Sequence, residues 1–126
     1  MNKRALGAEA EAFAHAVIAR EGYRIVELNA QTKLWELDVV AWDTDVLCFI
    51  EIRSTATLDY GGPLATVGPG KQRRIVRGAS AWLMYREAAP PQTPWPPYVR
   101  FDVLGIWGPA NARRFELVRG AFDAGR

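Results

Sequence analysis

The sequence predicts an α/β fold in which a central mixed sheet of about five strands is flanked by two main helices. Three observations predict it. Apolar residues recur at helical spacing in two separate segments, alternating segments mark five short strands, and turn residues separate these elements. The predicted order along the chain is helix, three strands, helix, two strands.

Length and composition predict a single domain. The chain has 126 residues, of which 49% are hydrophobic, so one domain over residues 1–126 can bury a core. No apolar stretch approaches the roughly 20 residues of a membrane helix, and no signal-peptide core follows Met1. We therefore expect a cytoplasmic protein that does not bind membranes. The formal net charge is only +2, so the distribution of charge says more about partners than its sum.

The first helix is predicted from about Arg4 to Glu21. Its apolar residues form one stripe, Glu11 lies beside that stripe, and Gly22 supplies a stop. A strand from Tyr23 to Leu28 is expected next.

A tight hairpin is predicted after this strand. Residues Trp35–Trp42 and Val46–Arg53 read as its two strands, and Asp43-Thr44-Asp45 is turn chemistry between them. A loop centred between Thr44 and Asp45 sets the register of the two strands.

This register places Asp38 opposite Glu51, and Glu36 opposite Arg53. Directly opposed side chains lie roughly 4.5–5.5 Å apart at their first carbons, and like charges there repel unless a cation sits between them. Mg²⁺ prefers such carboxylate oxygens. The alternative is a surface hairpin whose charges are solvated. The continuous apolar run Val46–Ile50 before Glu51 favours a buried strand, and hence a cation site.

Several classes of chemistry are excluded by residue counts. His15 and Cys48 are the only histidine and cysteine, so a zinc site of several His or Cys ligands is absent. No nucleophile elbow or Gly-rich phosphate loop is present. The apolar surroundings of Cys48 predict a packed thiol rather than a nucleophile.

The second half of the chain combines irregular and regular segments. Ser54–Gly70 is rich in Gly and Pro and is predicted to be irregular, as a lid or a loop that faces substrate. A helix from Lys71 to about Glu87, an extended connector over residues 88–97, and strands Tyr98–Trp107 and Arg113–Val118 are expected to follow.

The first half of the second helix carries four cations. Lys71, Arg74 and Arg77 fall near one face, whereas Arg73 points elsewhere. A solvated helix face is one interpretation. Cations at the start of a helix oppose its macrodipole, and phosphate binding would explain their position.

A series of short motifs runs in order along almost the whole chain. These are Gly7-x-x-x-Glu11, Gly22-Tyr23, Asn29, Glu36-Leu37-Asp38, Phe49-Ile50-Glu51-Ile52-Arg53, Gly61, Lys71-Gln72-Arg73-Arg74 and Arg100-Phe101-Asp102-Val103. In these residues the chain resembles the YraN-like family of small bacterial proteins. That family is similar to the restriction-endonuclease-like superfamily, which includes Holliday-junction resolvases, so the resemblance implies a restriction-endonuclease-like core.

The resemblance also implies roles for individual residues. The metal-binding acids of the superfamily fall on Asp38 and Glu51, with Glu11 as a further acid near the site. The catalytic lysine of the superfamily falls on Arg53, which is effectively always protonated and suits phosphate binding better than deprotonation of water. Lys71 would supply a second cation.

Two departures from the family concern substrate geometry. The family usually has glycine where this chain has Trp35, and a second basic residue where it has Thr55. Trp35 adds bulk where backbone would otherwise approach closely, and Thr55 removes one phosphate contact.

Together these observations predict a Mg²⁺- or Mn²⁺-dependent nuclease that acts on DNA, including branched or damaged DNA. Lys71, Arg73, Arg74 and Arg77 would bind the nucleic-acid backbone. One alternative is a non-catalytic nucleic-acid-binding module with the same fold. Another is a partner-binding protein that uses the connector over Pro90–Pro97. The sequence leaves open whether the protein forms a homodimer.

Overall fold

The residues that the structure describes form two main helices and five strands in the predicted order. The computed structural model describes residues 7–55, 62–86 and 98–124. Its elements are helix α1 (Ala8–Arg20), strands β1 (Arg24–Gln31), β2 (Glu36–Asp43) and β3 (Val46–Thr55), helix α2 (Pro69–Arg86), and strands β4 (Tyr98–Trp107) and β5 (Arg114–Phe122). Short 3-10 segments cover Pro63–Thr66 and Ala110–Ala112.

The five strands form one mixed sheet in the order β1-β2-β3-β4-β5. Neighbouring strands are antiparallel except for β3 and β4, which are parallel. A parallel pair needs a long crossover connection, and α2 lies within that connection. The predicted α/β class and mixed sheet are therefore confirmed.

The two helices cover opposite faces of the sheet. Successive residues of a strand point to opposite faces, so β3 sends Cys48 and Ile50 toward α1 and sends Leu47 and Phe49 toward α2. Trp82 of α2 packs edge-on against the Phe49 ring. The two faces of the sheet thus form two core layers. By the same alternation, the side chain of Glu51 lies on the α2 side of β3.

The prediction that Ser54–Gly70 is irregular is wrong at both ends. β3 continues to Thr55, Pro63–Thr66 forms a 3-10 turn, and α2 already begins at Pro69. Proline fixes φ near the helical value and suits the first turn of a helix, so both prolines start helical segments. Residues 56–61 of this prediction, and the predicted connector over 88–97, lie outside the described residues.

Strands β1 and β5 extend beyond their predicted C-terminal ends. β1 runs on to Gln31, although Asn29 has a left-handed φ of 52° and a bulge lies between Ile25 and Glu27. β5 runs on to Phe122, four residues beyond the predicted end at Val118. Polar and small residues end the alternating pattern early in both strands, whereas pairing with the neighbouring strand extends them.

A buried polar network ties the strands together at the hairpin-turn end of the sheet. Asp102 is fully buried and accepts hydrogen bonds from the Tyr23 hydroxyl (2.6 Å), Arg100 Nε (2.9 Å) and the Gly120 N–H (2.9 Å). Arg100 Nη2 also donates to Asp43 Oδ2 at 2.7 Å. Burial and the bond to Asp102 raise the pKa of Tyr23 well above its ordinary value, so its hydroxyl stays a donor.

Cys48 is a packed thiol, as its surroundings predict. Its side chain is fully buried in the α1 layer. Burial, together with the nearby Asp102 carboxylate, raises the pKa of the Cys48 thiol to about 12. A thiol that stays protonated is a poor nucleophile.

Candidate functional site

Asp38 and Glu51 lie where the pairing between β2 and β3 ends. The five described pairs run from Asp43–Val46 to Val39–Ile50, which is the register set by a loop centred between Thr44 and Asp45. Asp38 and Glu51 are the next position in that register. The predicted hairpin register is therefore confirmed up to the carboxylates.

The Asp38 side chain sits between the two strands. It is 6% exposed, and its Oδ2 accepts the backbone N–H of Ile52 at 2.8 Å. Leu37 and Val40 both pack in the α2 layer while Val39 packs in the α1 layer, so strict alternation breaks at this point of β2. The Asp38 carboxylate thus takes the place of a backbone carbonyl as the hydrogen-bond acceptor for Ile52, the residue after Glu51 in β3.

The predicted pairing of Glu36 with Arg53 lies beyond the last described β2–β3 pair. Glu36 pairs with Gln31 on the β1 side of β2, and it lines a groove beside α2. The opposition of Glu36 and Arg53 therefore stays a prediction.

Glu51 is buried between two cations. It is 5% exposed, and its Oε2 lies 3.4 Å from Arg53 Nη1 and 3.6 Å from Lys71 Nζ. Arg53 comes from the same face of β3, and Lys71 comes from the first turn of α2. A buried carboxylate is costly without compensating charge, and these two cations provide it. The structure thus brings Lys71 of α2 beside Glu51 of β3, across the Gly- and Pro-rich segment.

Arg53 is held in place by the 3-10 segment that precedes α2. Its Nε donates to Thr66 Oγ1 at 3.1 Å, and the Thr66 hydroxyl donates to the Pro63 carbonyl at 2.6 Å. The Pro63 ring packs directly on Gly105 of β4, where any added Cβ would clash with it. Sequence reasoning missed Thr66, because nothing distinguishes it from the other small polar residues of that segment.

Glu11 lies in the first turn of α1 and contacts β1. Its Oε2 accepts a hydrogen bond from Asn29 Nδ2 at 3.2 Å. Both residues belong to the motifs that carry the family resemblance. The described contact fixes the side chain of Glu11 against β1, and its part in the acid site stays a prediction.

Three of the four predicted cations of α2 line one groove. Lys71, Arg74 and Arg77 face the turn between β1 and β2, and the groove between them has a volume of about 620 Å³. Arg73 is exposed and lies outside this groove, as the helical spacing predicts. Gly78 lets α2 pack closely against Trp35, because an added Cβ at position 78 would lie 3.2 Å from the Cβ of Trp35.

Comparisons with known proteins show the family of this chain. A model of the Uncharacterised protein family UPF0102 matches residues 10–106. The chain belongs to this family. Among curated UPF0102 proteins, one from Anaeromyxobacter sp. is 38% identical over 97% of this chain and 87% of its own length. Another, from Desulforapulum autotrophicum, is 38% identical over 96% of this chain and 95% of its own. One from Pseudomonas syringae pv. syringae is 37% identical over 94% of this chain and 93% of its own. The YraN-like resemblance is thereby confirmed.

The acid pair of this UPF0102 protein fits a cation that takes much of its coordination from water and substrate. Within residues 7–55, 62–86 and 98–124, no group of three or more His, Cys, Asp or Glu residues could hold a metal ion. Asp38 and Glu51 offer hard oxygens on adjacent strands. Mg²⁺ is commonly held by one or two carboxylates together with waters and substrate phosphate. The donor set therefore suits Mg²⁺ or Mn²⁺ better than a closed structural site.

In the part of the chain that the structure describes, no helix is both long and apolar enough to cross a membrane.

Proposed function

We propose that this UPF0102 protein is a Mg²⁺- or Mn²⁺-dependent nuclease that hydrolyses phosphodiester bonds in DNA, including branched or damaged DNA. The observation that carries the proposal is the pair of buried carboxylates at the end of the β2–β3 pairing, with Arg53 and Lys71 around Glu51. We further predict that the protein is cytoplasmic and that it forms a homodimer.

Asp38 and Glu51 are the residues that would hold the cation. When bound there, Mg²⁺ or Mn²⁺ supplies charge stabilisation at the phosphate and lowers the pKa of water. Both carboxylates are buried, so solvent screens their attraction for a cation only weakly. The Ile52 N–H orients Asp38 through the bond at its Oδ2.

Arg53 and Lys71 provide positive charge for the phosphate. Arg53 is fixed by Thr66 and by Glu51, so its guanidinium is preorganised. It is effectively always protonated and therefore binds charge rather than accepting a proton. Lys71 is a flexible point charge that can shift between Glu51 and a bound phosphate. Glu11 is proposed as a further acid that positions water.

A cleavage assay with controlled metal tests this proposal. Purified protein is incubated with duplex, single-stranded and four-way DNA in Mg²⁺, in Mn²⁺ or in EDTA. We expect cleavage of at least one DNA form with a metal, and loss of at least about a hundred-fold in rate with EDTA. Cleavage that is equal in EDTA, or that is absent with both metals on all forms, would contradict the proposal.

The second candidate function is a non-catalytic nucleic-acid-binding module. The observation that favours it is Arg53 at the position of the superfamily's lysine, where it is engaged by both Glu51 and Thr66. This function predicts DNA binding that weakens steeply with salt and is indifferent to chelator.

A further inference from the structure

The groove beside α2 has the charge pattern of a site for a polyanion. Lys71, Arg74 and Arg77 line it from the helix, and Lys33 lines it from the turn between β1 and β2. Glu36 is the one carboxylate among the described lining residues. Four cations that face one acid attract phosphate groups, and their attraction is strengthened by the low-dielectric walls of a groove.

Apolar groups in the same groove indicate that the bound polyanion also carries apolar surfaces. Leu34 lines the groove and is 91% exposed at the turn. The half-buried Trp35 lies beside it in the same lining. Proteins that bind single-stranded nucleic acids combine a cationic groove with side chains on which bases stack, and exposed leucines contact bases that are unstacked. The bases of an intact duplex are stacked on one another, so a contact between their faces and such groups would cost the energy of unstacking.

The groove is joined to the acid pair by Lys71, which both lines it and lies 3.6 Å from Glu51. Lys71, Arg74 and Arg77 follow one another at intervals of three residues on α2. Six residues of helix extend about 9 Å, which corresponds to two or three nucleotides of a strand. A strand that lies in the groove would therefore reach the acid pair at one end.

We infer that this groove binds a segment of nucleic acid with unpaired bases and leads that strand to the acid pair. The inference rests on the proposed function, because it names the class of substrate that the same site takes. Its recognition elements are the sugar-phosphate backbone, held by the cations, and unpaired base faces, held by Leu34 and Trp35. Gapped, flapped or branched DNA would supply such a segment beside a duplex.

Binding measured in EDTA tests the inference separately from cleavage. Fluorescence anisotropy compares a short labelled oligothymidine, the corresponding oligouridine and a blunt duplex of similar length at low salt. Wild-type protein is expected to bind at least one of the single strands about ten-fold more tightly than the duplex. The two single strands distinguish a DNA segment from an RNA segment.

Substitutions then locate the site. Arg74→Ala is expected to weaken binding of the preferred single strand about five- to ten-fold, and to lower the slope of log affinity against log salt by about 0.7. Arg73 is one residue away and lies outside the groove, so Arg73→Ala should weaken binding of the single strand less than Arg74→Ala does. Leu34→Ser leaves the charge unchanged and should reduce the preference for single strands over duplex. Because Leu34 and Arg74 are exposed, neither change removes core packing.

Arg24→Ala is the matched control, since Arg24 is an exposed arginine at the far end of β1 and should retain binding within about two-fold. Equal binding of duplex and single strands, or equal losses for Arg24→Ala and Arg74→Ala, would overturn the inference even if metal-dependent cleavage is found. Single-strand binding that needs Arg74, combined with an absence of cleavage, would support the inference and remove the proposed function.

Discussion

We expect Asp38→Asn to lower the rate of metal-dependent DNA cleavage by about a thousand-fold, which corresponds to about 4 kcal/mol of transition-state stabilisation. Asparagine has nearly the same shape and keeps an oxygen that can accept the Ile52 N–H, so the strand geometry is retained. It lacks the negative charge that holds a divalent cation. The measurement is the initial rate of cleavage at saturating Mg²⁺ or Mn²⁺.

Asp45→Asn is the matched control for this substitution. Asp45 is exposed in the turn of the same hairpin, so the change removes the same charge away from the acid pair. Its rate should stay within about two-fold of the wild-type rate, because isolated surface charges contribute little. An Asp38→Asn protein that cleaves as fast as Asp45→Asn would show that the cutting does not depend on this carboxylate.

Asp102→Ala is expected to lower the free energy of unfolding by about 3–5 kcal/mol. The change leaves the Arg100 guanidinium, the Tyr23 hydroxyl and the Gly120 N–H without their shared acceptor. Unmet donors in a buried site cost more than the hydrogen bonds themselves contribute. Urea denaturation followed by circular dichroism measures the effect.

Tyr23→Phe keeps this prediction testable if the alanine variant does not fold. It removes the 2.6 Å bond that the Tyr23 hydroxyl donates to Asp102 and the 3.4 Å bond that this hydroxyl accepts from Arg100 Nη2. The expected cost is about 1.5–3 kcal/mol, as for hydrogen bonds to charged groups. Asp123→Ala, at an exposed aspartate after β5, should change stability by less than about 0.5 kcal/mol. If Tyr23→Phe and Asp123→Ala have equal effects, the network does not stabilise the sheet.

The hairpin shows how much of the site could be predicted from sequence. The alternation of apolar residues and the turn at Asp43-Thr44-Asp45 determine the register, and that register places Asp38 next to Glu51. The helical spacing of Lys71, Arg74 and Arg77 likewise predicts their common face. These are local patterns, in which the period of each element decides where a side chain points.

Features that depend on contacts between distant segments could not be predicted in this way. The alternation breaks at Asp38, whose side chain bonds to the backbone N–H of Ile52 in the next strand. Thr66 bonds to Arg53 from a segment whose Pro63 packs on Gly105 of β4. No periodicity in the sequence reports such contacts, since they arise when the elements pack together.

The same limit applies to the polar network at the other end of the sheet. Arg100-Phe101-Asp102-Val103 contributes to the family resemblance, but its partners lie far away in sequence. Arg100 bonds to Asp43 across 57 positions, and Tyr23 bonds to Asp102 across 79. The network holds together the turn end of the sheet, while the acid pair lies where the β2–β3 pairing ends.

Manganese binding tests whether Asp38 and Glu51 hold a divalent cation, independently of any cleavage. Electron paramagnetic resonance can follow the free Mn²⁺ signal during titration with wild-type, Asp38→Asn, Glu51→Gln or Asp45→Asn protein. Wild type and Asp45→Asn are expected to bind Mn²⁺, and each acid-pair substitution is expected to weaken binding by at least about ten-fold. Equal Mn²⁺ binding by all four proteins would show that Asp38 and Glu51 do not hold the cation.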